Sequence, residues 1–206
     1  MRTLKHSPLL EKAASEPDTG TMVEVYVGPD AFRRDEAEAF IRRAFLRHHQ
    51  AIVRSFAPDL LLLEERMRVF AAAGWRGAGD GQLFLERYLD EPIERVLGGL
   101  TGLVLPRERF VEVGHLVADR PGASVQVILS LTRHLSAAGY EWVVFTATEP
   151  LVRIFTRLGL PLLALARADP ARLGDEARDW GRYYETKPVV VAGRIRNALE
   201  RIGGRP

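Results

Sequence analysis

Glu112 is the single acid in an apolar alternating run formed by Val111, Val113, His115 and Val117, and the alternation puts it on the opposite face from them. A lone carboxylate in such a strand is costly unless it is paired or put to use. In use it is a base, able to take a proton from a reacting group near neutral pH. Otherwise it is an ion-pair partner for one of the many nearby arginines. Just downstream, Asp119-Arg120-Pro121-Gly122-Ala123-Ser124 forms a turn that opens an amphipathic helix ending at Gly139. Free backbone N–H groups at such a helix start can hold a phosphate. Capping uses the same groups, with Ser124 as the N-cap. A second strand, Trp142 to Thr146, follows. An acid on the first strand, near a turn suited to phosphate, predicts a transferase with an activated, phosphate-bearing donor.

Four further groups have suitable chemistry and an ordinary structural reading beside it. Glu86 and Asp90 lie four apart in LFLERYLDEP and share a helix face, where they can recognise a cationic amine or pair with Arg76, Arg87 or Arg95. Thr146 and Thr148 sit at the exit of the second strand, where hydroxyls can bind an acceptor or a developing oxyanion, or simply favour a strand and its cap. The loop Trp180-Gly181-Arg182-Tyr183-Tyr184 offers a tyrosine to protonate a leaving thiolate, or aromatic rings to pack the loop down. Which of the two tyrosines faces the site is open at this level. His48, His49, His115 and His134 have no spacing of a recognised metal set, so no metal is expected, and His115 reads as packed or pocket-lining. With no Gly-x-Ser-x-Gly motif and no cysteine, direct transfer in a ternary complex is expected rather than an acyl-enzyme.

The elements that must position these groups can be read from periodicity. Val23–Val27 is a strand, Asp35–His48 a helix, Leu60–Leu63 a central strand and Val69–Trp75 its hairpin partner. Leu83–Leu97 reads as helical, with Pro92 at the first turn of a second short helix. After the Phe110–Thr148 unit, Glu149-Pro150 opens a helix to Leu158, and Leu160–Ala166 reads as a buried strand. Pro188–Val191 and Ile195–Ile202 then supply a last strand and a closing helix. The architecture is α+β, an antiparallel meander leading into strand–helix–strand–helix–strand.

Composition sets the outer bounds. The chain has 206 residues, 47% hydrophobic and 27% charged, with a net charge of +2, which suits one soluble domain spanning residues 22–206. Residues 1–21 read as a flexible lead-in with no signal-peptide core. No stretch approaches membrane-spanning length, so a cytoplasmic location is expected. No basic-aromatic interleaving points to nucleic acid.

LFLERYLDEPIE, VEVGHLV, WVVFTAT, RLGL and the late DP-RLG…WGRYY…P-VV-G pattern together resemble the thermostable hemolysin family, over roughly residues 23–193. That family is similar in fold to the GCN5-related N-acyltransferases, especially the acyl-homoserine-lactone synthases and long-chain N-acyl amino acid synthases. The resemblance implies a central mixed sheet flanked by helices. It implies an acyl thioester donor, either acyl-CoA or acyl-phosphopantetheine on an acyl carrier protein, and a small amine or amino-acid acceptor. On it, His115, Leu116 and Val117 would line the pantetheine arm, and Arg120, Gly122, Ala123 and Ser124 would hold the phosphate. Glu112, Thr146 and Tyr184 would be catalytic, and Glu86, Asp90, Phe145, Thr148 and Tyr183 would contact the acceptor. The chain departs from the usual loop in having Asp119 at its first position, an acid where phosphate should be welcome. Two alternatives are a non-catalytic module that binds an acyl carrier or acyl chain, and a membrane-active hemolysin, as the family name suggests.

Overall fold

The computed structural model describes residues 21–203, so the expected flexible segment falls, but for Thr21, outside the described residues. Seven strands share one sheet: β1 (Met22–Val27), β2 (Asp59–Glu65), β3 (Arg68–Gly77), β4 (Phe110–Ala118), β5 (Trp142–Ala147), β6 (Leu163–Arg167) and β7 (Val189–Arg194). Their order is β1-β2-β3-β4-β5-β7-β6. Only β4 and β5 run parallel; every other neighbouring pair is antiparallel. The first three strands are the expected meander. Arg66 and Met67, both at positive φ, make the two-residue turn between β2 and β3.

Five helices flank the sheet: α1 (Arg34–His49), α2 (Ile93–Thr101), α3 (Ala123–Ala137), α4 (Glu149–Leu158) and α5 (Ile195–Gly203). None of them is long and apolar enough to cross a membrane. The unbroken Leu60–Leu63 run reflects a strand covered on both faces. Leu60 and Leu62 pack with Ile41 and Phe45 of α1, while Leu61 and Leu63 pack with Val127 and Leu131 of α3. All four are fully buried, and each contributes about 2 kcal/mol of transfer energy. On the α1 side the remaining sheet is covered by the segment 83–97 and the loop 168–184, through Leu85, Ile93, Leu97 and Leu173. On the α3 side α4 covers Phe145 and Val191.

Two expected elements differ from the sequence reading. Of the helical stretch expected over Leu83–Leu97, the first part is a short 3-10 turn, Phe84–Tyr88, rather than an α-helix, and the second short helix expected at Pro92 is α2, with Pro92 as its N-cap. The break has a local cause. The Glu86 carboxylate accepts the Leu83 and Ile93 N–H groups, at 2.9 Å each, bridging the starts of the two short elements, and Pro92 between them has no N–H to continue a helix. The strand expected at Leu160–Ala166 begins only at Leu163. It is a half-exposed edge strand, with β7 on one side and nothing described on the other.

The alternation in β4 also breaks. His115 has φ 55°, and the pairing with β3 shifts register between Ala72 and Gly74. This bulge turns the strand over, as an extra residue in a ladder does. Val111 and Val113 face α3, whereas His115 and Val117 face α1. His115 therefore shares a face with Glu112 and not, as the simple alternation predicts, with Val113. The bulge has a second effect. The parallel pairing of β4 with β5 runs only from Phe110↔Trp142 to Glu112↔Val144, and beyond it the strands diverge.

Candidate active site

Glu112 sits where the parallel pairing ends. Its Oε2 accepts the Phe84 N–H at 2.7 Å and its Oε1 accepts the Leu85 N–H at 2.9 Å. Burial pushes the carboxyl up to about 6; the two N–H donors and the charge of Arg76 hold it from rising further. Arg76 is the residue directly across the β3–β4 ladder from Glu112. It makes no hydrogen bond or ion pair with any described residue. His115 lies between the rings of Phe45 and Phe56, at 6.3 and 5.3 Å. Its Nδ1 is buried without a hydrogen-bond partner among the described residues. Burial depresses the imidazole to about 4, with a backbone contact to Ser55 opposing, so the ring is neutral at physiological pH.

These groups face a cavity of about 340 Å³. Its wall on the α1 side includes Arg76, Glu112, His115, Tyr88, Trp180 and Tyr183. On the α3 side it continues between Ile128, Leu131 and Leu135 of α3, Leu151, Ile154 and Phe155 of α4, and Ala198 of α5. Lining from both faces means that the cavity crosses the sheet through the wedge between β4 and β5. One end presents titratable groups; the other is mainly apolar, with Ser124, Thr132 and Asn197 also in its lining.

The aromatic loop closes the α1 side. The Ile52 N–H donates to the Asp179 carbonyl and the Arg182 N–H to the His49 carbonyl, both at 2.6 Å. Gly181, at φ 50°, is required between them, because a Cβ there would stand 2.5 Å from the His49 and Gln50 carbonyl oxygens. Tyr183 packs edge-on to His49 at 5.2 Å, and burial raises its phenol well above the usual value, keeping it protonated.

Of the residues singled out in the sequence, Glu112, His115, Leu116, Ser124, Phe145, Thr146, Thr148 and Tyr183 line this cavity. The others are placed elsewhere. Val117 and Ala123 are buried in the core. Arg120 donates to Glu65 at 2.7 Å and lies 3.5 Å over the Phe70 ring, so both its charge and its plane are engaged. Gly122, at φ 82°, occupies the N-cap in place of Ser124, which lies inside the first turn. The Val125 and Gln126 N–H groups turn back to the Gly122 carbonyl, while that of Ser124 has no backbone acceptor among the described residues. Glu86 and Asp90 flank a separate, shallower depression; Glu86 pairs with Arg107 at 2.6 Å and Asp90 with Arg172 at 2.7 Å. The Tyr184 hydroxyl meets that of Tyr88 at 2.6 Å, and it is Tyr88 that lines the cavity.

The sequence reading missed Arg76, Tyr88, His49 and Phe45 as cavity residues. Arg76 carries no local signal, because its position opposite Glu112 follows only from strand pairing. Among the described residues no group of three or more His, Asp or Glu side chains is arranged to hold a metal ion.

The sequence profile of the family described as thermostable hemolysin matches residues 27–199. No curated protein matches the chain in sequence. Solved structures do match in fold. FeeM, an N-acyl amino acid synthase from uncultured soil microbes, superposes with a TM-score of 0.62 at 12% identity, covering 90% of this chain and 96% of that one. The acyl-homoserine-lactone synthase LasI gives 0.58 at 12% identity, over 85% and 91%. BjaI, a CoA-dependent acyl-homoserine-lactone synthase solved with SAM and isopentyl-CoA, gives 0.57 at 13% identity, over 87% of each chain. At these identities the likeness concerns the fold, a GCN5-related N-acyltransferase-like sheet with flanking helices.

Proposed function

The chain belongs to the thermostable hemolysin family, and on that premise we propose that it is an N-acyltransferase. It moves a fatty acyl group from a thioester, of CoA or of an acyl carrier protein, to a small amine or amino acid within a ternary complex. The observation that carries this reading is the cavity through the β4–β5 wedge, with Glu112 at one end and an apolar arm at the other. A thioester needs both parts: an oily slot for its chain and a base beside its carbonyl. FeeM and BjaI, which share the fold, are by their descriptions an N-acyl amino acid synthase and a CoA-dependent synthase.

In this mechanism the donor's arm lies in the wedge, with its phosphate toward the Ser124 N–H and its acyl chain between α3 and α4. Unpaired N–H groups of β4 past Glu112 polarise the thioester carbonyl. Glu112, ionised above about pH 6, takes a proton from the acceptor's ammonium, directly or through water, so the amine nitrogen attacks the carbonyl carbon. The tetrahedral adduct collapses and the C–S bond breaks; the thiolate takes a proton from Tyr183, the second proton shed by the nitrogen returns through water to the Tyr183 oxygen, and Glu112 passes its own proton to solvent. The products are an amide and a free thiol, with no covalent enzyme intermediate.

The test is thiol release together with mass-spectrometric detection of an amide, using acyl-CoA and acyl-carrier donors of several lengths and a pool of amines and amino acids. Thiol and amide should appear in equal amounts in the wild type, and E112Q should lose both while remaining folded. Thioester hydrolysis without amide, or turnover untouched in E112Q, would sink the reading. Saturable donor binding without turnover across the set would instead favour a non-catalytic acyl-binding module.

A further inference from the structure

Arg76 is a cation held by no carboxylate among the described residues, although its charge lowers the Glu112 value. It lines the cavity, stands directly across the β3–β4 ladder from Glu112, and makes no hydrogen bond or ion pair with a described residue. Elsewhere in the described chain arginines are commonly engaged: Arg33, Arg34, Arg54, Arg107 and Arg172 all have carboxylate partners within 3 Å. A guanidinium held on a rigid central strand, facing a partly apolar cavity and left unpaired, is arranged to receive an anion from outside the chain.

Two anions could reach it, a carboxylate on the acceptor or a phosphate on the donor. Distance along the strand separates them. The turn at Gly122 follows β4 at its far end, past Ala118, whereas Arg76 pairs with Glu112 near its start. Seven residues of strand from Glu112 to Asp119 span roughly 20 Å, about the reach of an extended pantetheine arm. A donor whose phosphate is at the turn therefore brings its thioester, not its phosphate, to Glu112 and Arg76.

We propose that Arg76 binds the carboxylate of the acceptor, which makes the acceptor a free amino acid whose amine is presented to Glu112. This rests on the acyltransferase reading above and narrows its acceptor. The two charges divide the zwitterion, Glu112 addressing the ammonium and Arg76 the carboxylate. Neutral His115, with its free Nδ1, adds a hydrogen-bond acceptor on the same face without competing for the carboxylate as a cation.

The experiment compares, with one acyl donor, the kcat/KM of an amino acid and of its carboxamide in the wild type and in R76Q. Binding of the free amino acid is followed separately by calorimetry without donor. The wild type should prefer the amino acid by 100-fold or more. R76Q should lose most of that preference through the KM of the amino acid, with both acceptors compared on the pH plateau above the Glu112 limb, because loss of the Arg76 charge raises the Glu112 carboxyl and slows both acceptors alike at lower pH. Equal use of both acceptors by the wild type overturns the inference and leaves the acyltransferase reading standing. So does an R76Q variant in which only the pH profile moves and the preference survives, since Arg76 would then merely tune Glu112. Amino-acid binding that disappears in R76Q, with no turnover of any thioester, supports the carboxylate site and defeats the acyltransferase reading.

Discussion

The hydroxyls of Tyr88 and Tyr184 meet at 2.6 Å, and this contact ties Tyr184 to the wall behind the cavity that Tyr183 lines. The two neighbouring tyrosines therefore have separable roles. Y183F should lower kcat by at least tenfold on thioesters with poor leaving groups and have little effect with activated ones. Y184F should lower thermal stability by about 1 kcal/mol, the worth of one hydrogen bond, and leave kcat within a few-fold. Steady-state kinetics and thermal melts on the two variants check both. A larger kcat loss in Y184F than in Y183F would reverse the assignment.

Acidification should switch the reaction off through Glu112. Burial raises this carboxyl to about 6, and only the ionised form can take a proton. Below about pH 6 log kcat/KM should therefore fall with a slope of one, and above it level off. Arg76's charge lowers the Glu112 value, so R76Q should move that limb to higher pH. A pH–rate profile from pH 4.5 to 8, with stability checked at each point, measures it. A limb that stays in place in E112D and R76Q would mean that another group titrates.

Glu86 and Asp90 should behave in opposite ways although they are four residues apart. Glu86 is 8% exposed; burial alone would raise its carboxyl, but Arg107 and the Ile93 and Leu83 N–H groups outweigh burial and hold it below the usual value. E86A should cost about 3 kcal/mol, as removing one partner of a buried network does. Because its folded value is depressed, this stabilisation is present above the unfolded carboxylate range and is lost as pH falls through the folded value. Asp90 is exposed, and D90N should change stability by less than about 0.5 kcal/mol. Denaturant melts at pH 7 and pH 4 distinguish the two.

The apolar arm should set the acyl length. Ile154, which lines it together with Ile128, can be enlarged to tryptophan to fill the slot. I154W should shift the preference to shorter donors, with kcat/KM falling about fourfold for each methylene excluded, the equivalent of about 0.8 kcal/mol. A donor series from C2 to C16 reads it directly. An unchanged length profile in a folded I154W would place the chain elsewhere.

The early meander and most helix positions were legible because they depend on local period and on which residues are apolar; the Leu60–Leu63 run and the helix closing at Gly159 are examples. The insertion of β7 between β5 and β6 was not legible. Where the reading failed, a contact distant in sequence or a single backbone angle decided the outcome. The Glu86 carboxylate caps both short elements around it, and Phe84–Tyr88, which the 3.6-residue period makes look α-helical, is a 3-10 turn. One residue at positive φ, His115, reverses which side chains share Glu112's face. Arg76 reaches the site only through pairing with a strand 36 positions later, which no motif in the chain announces.

The short parallel pairing between β4 and β5 also makes the empty protein a reporter of its own occupancy. Past Glu112 the backbone of β4 has no rungs to β5, so amides there that point into the wedge rely on solvent. Deuterium should enter Val113–Val117 well ahead of the fully laddered Leu60–Leu63, and a bound donor should slow that entry. Proton exchange along one strand would then register a ligand before any product is known, and would do so in variants that have lost the chemistry.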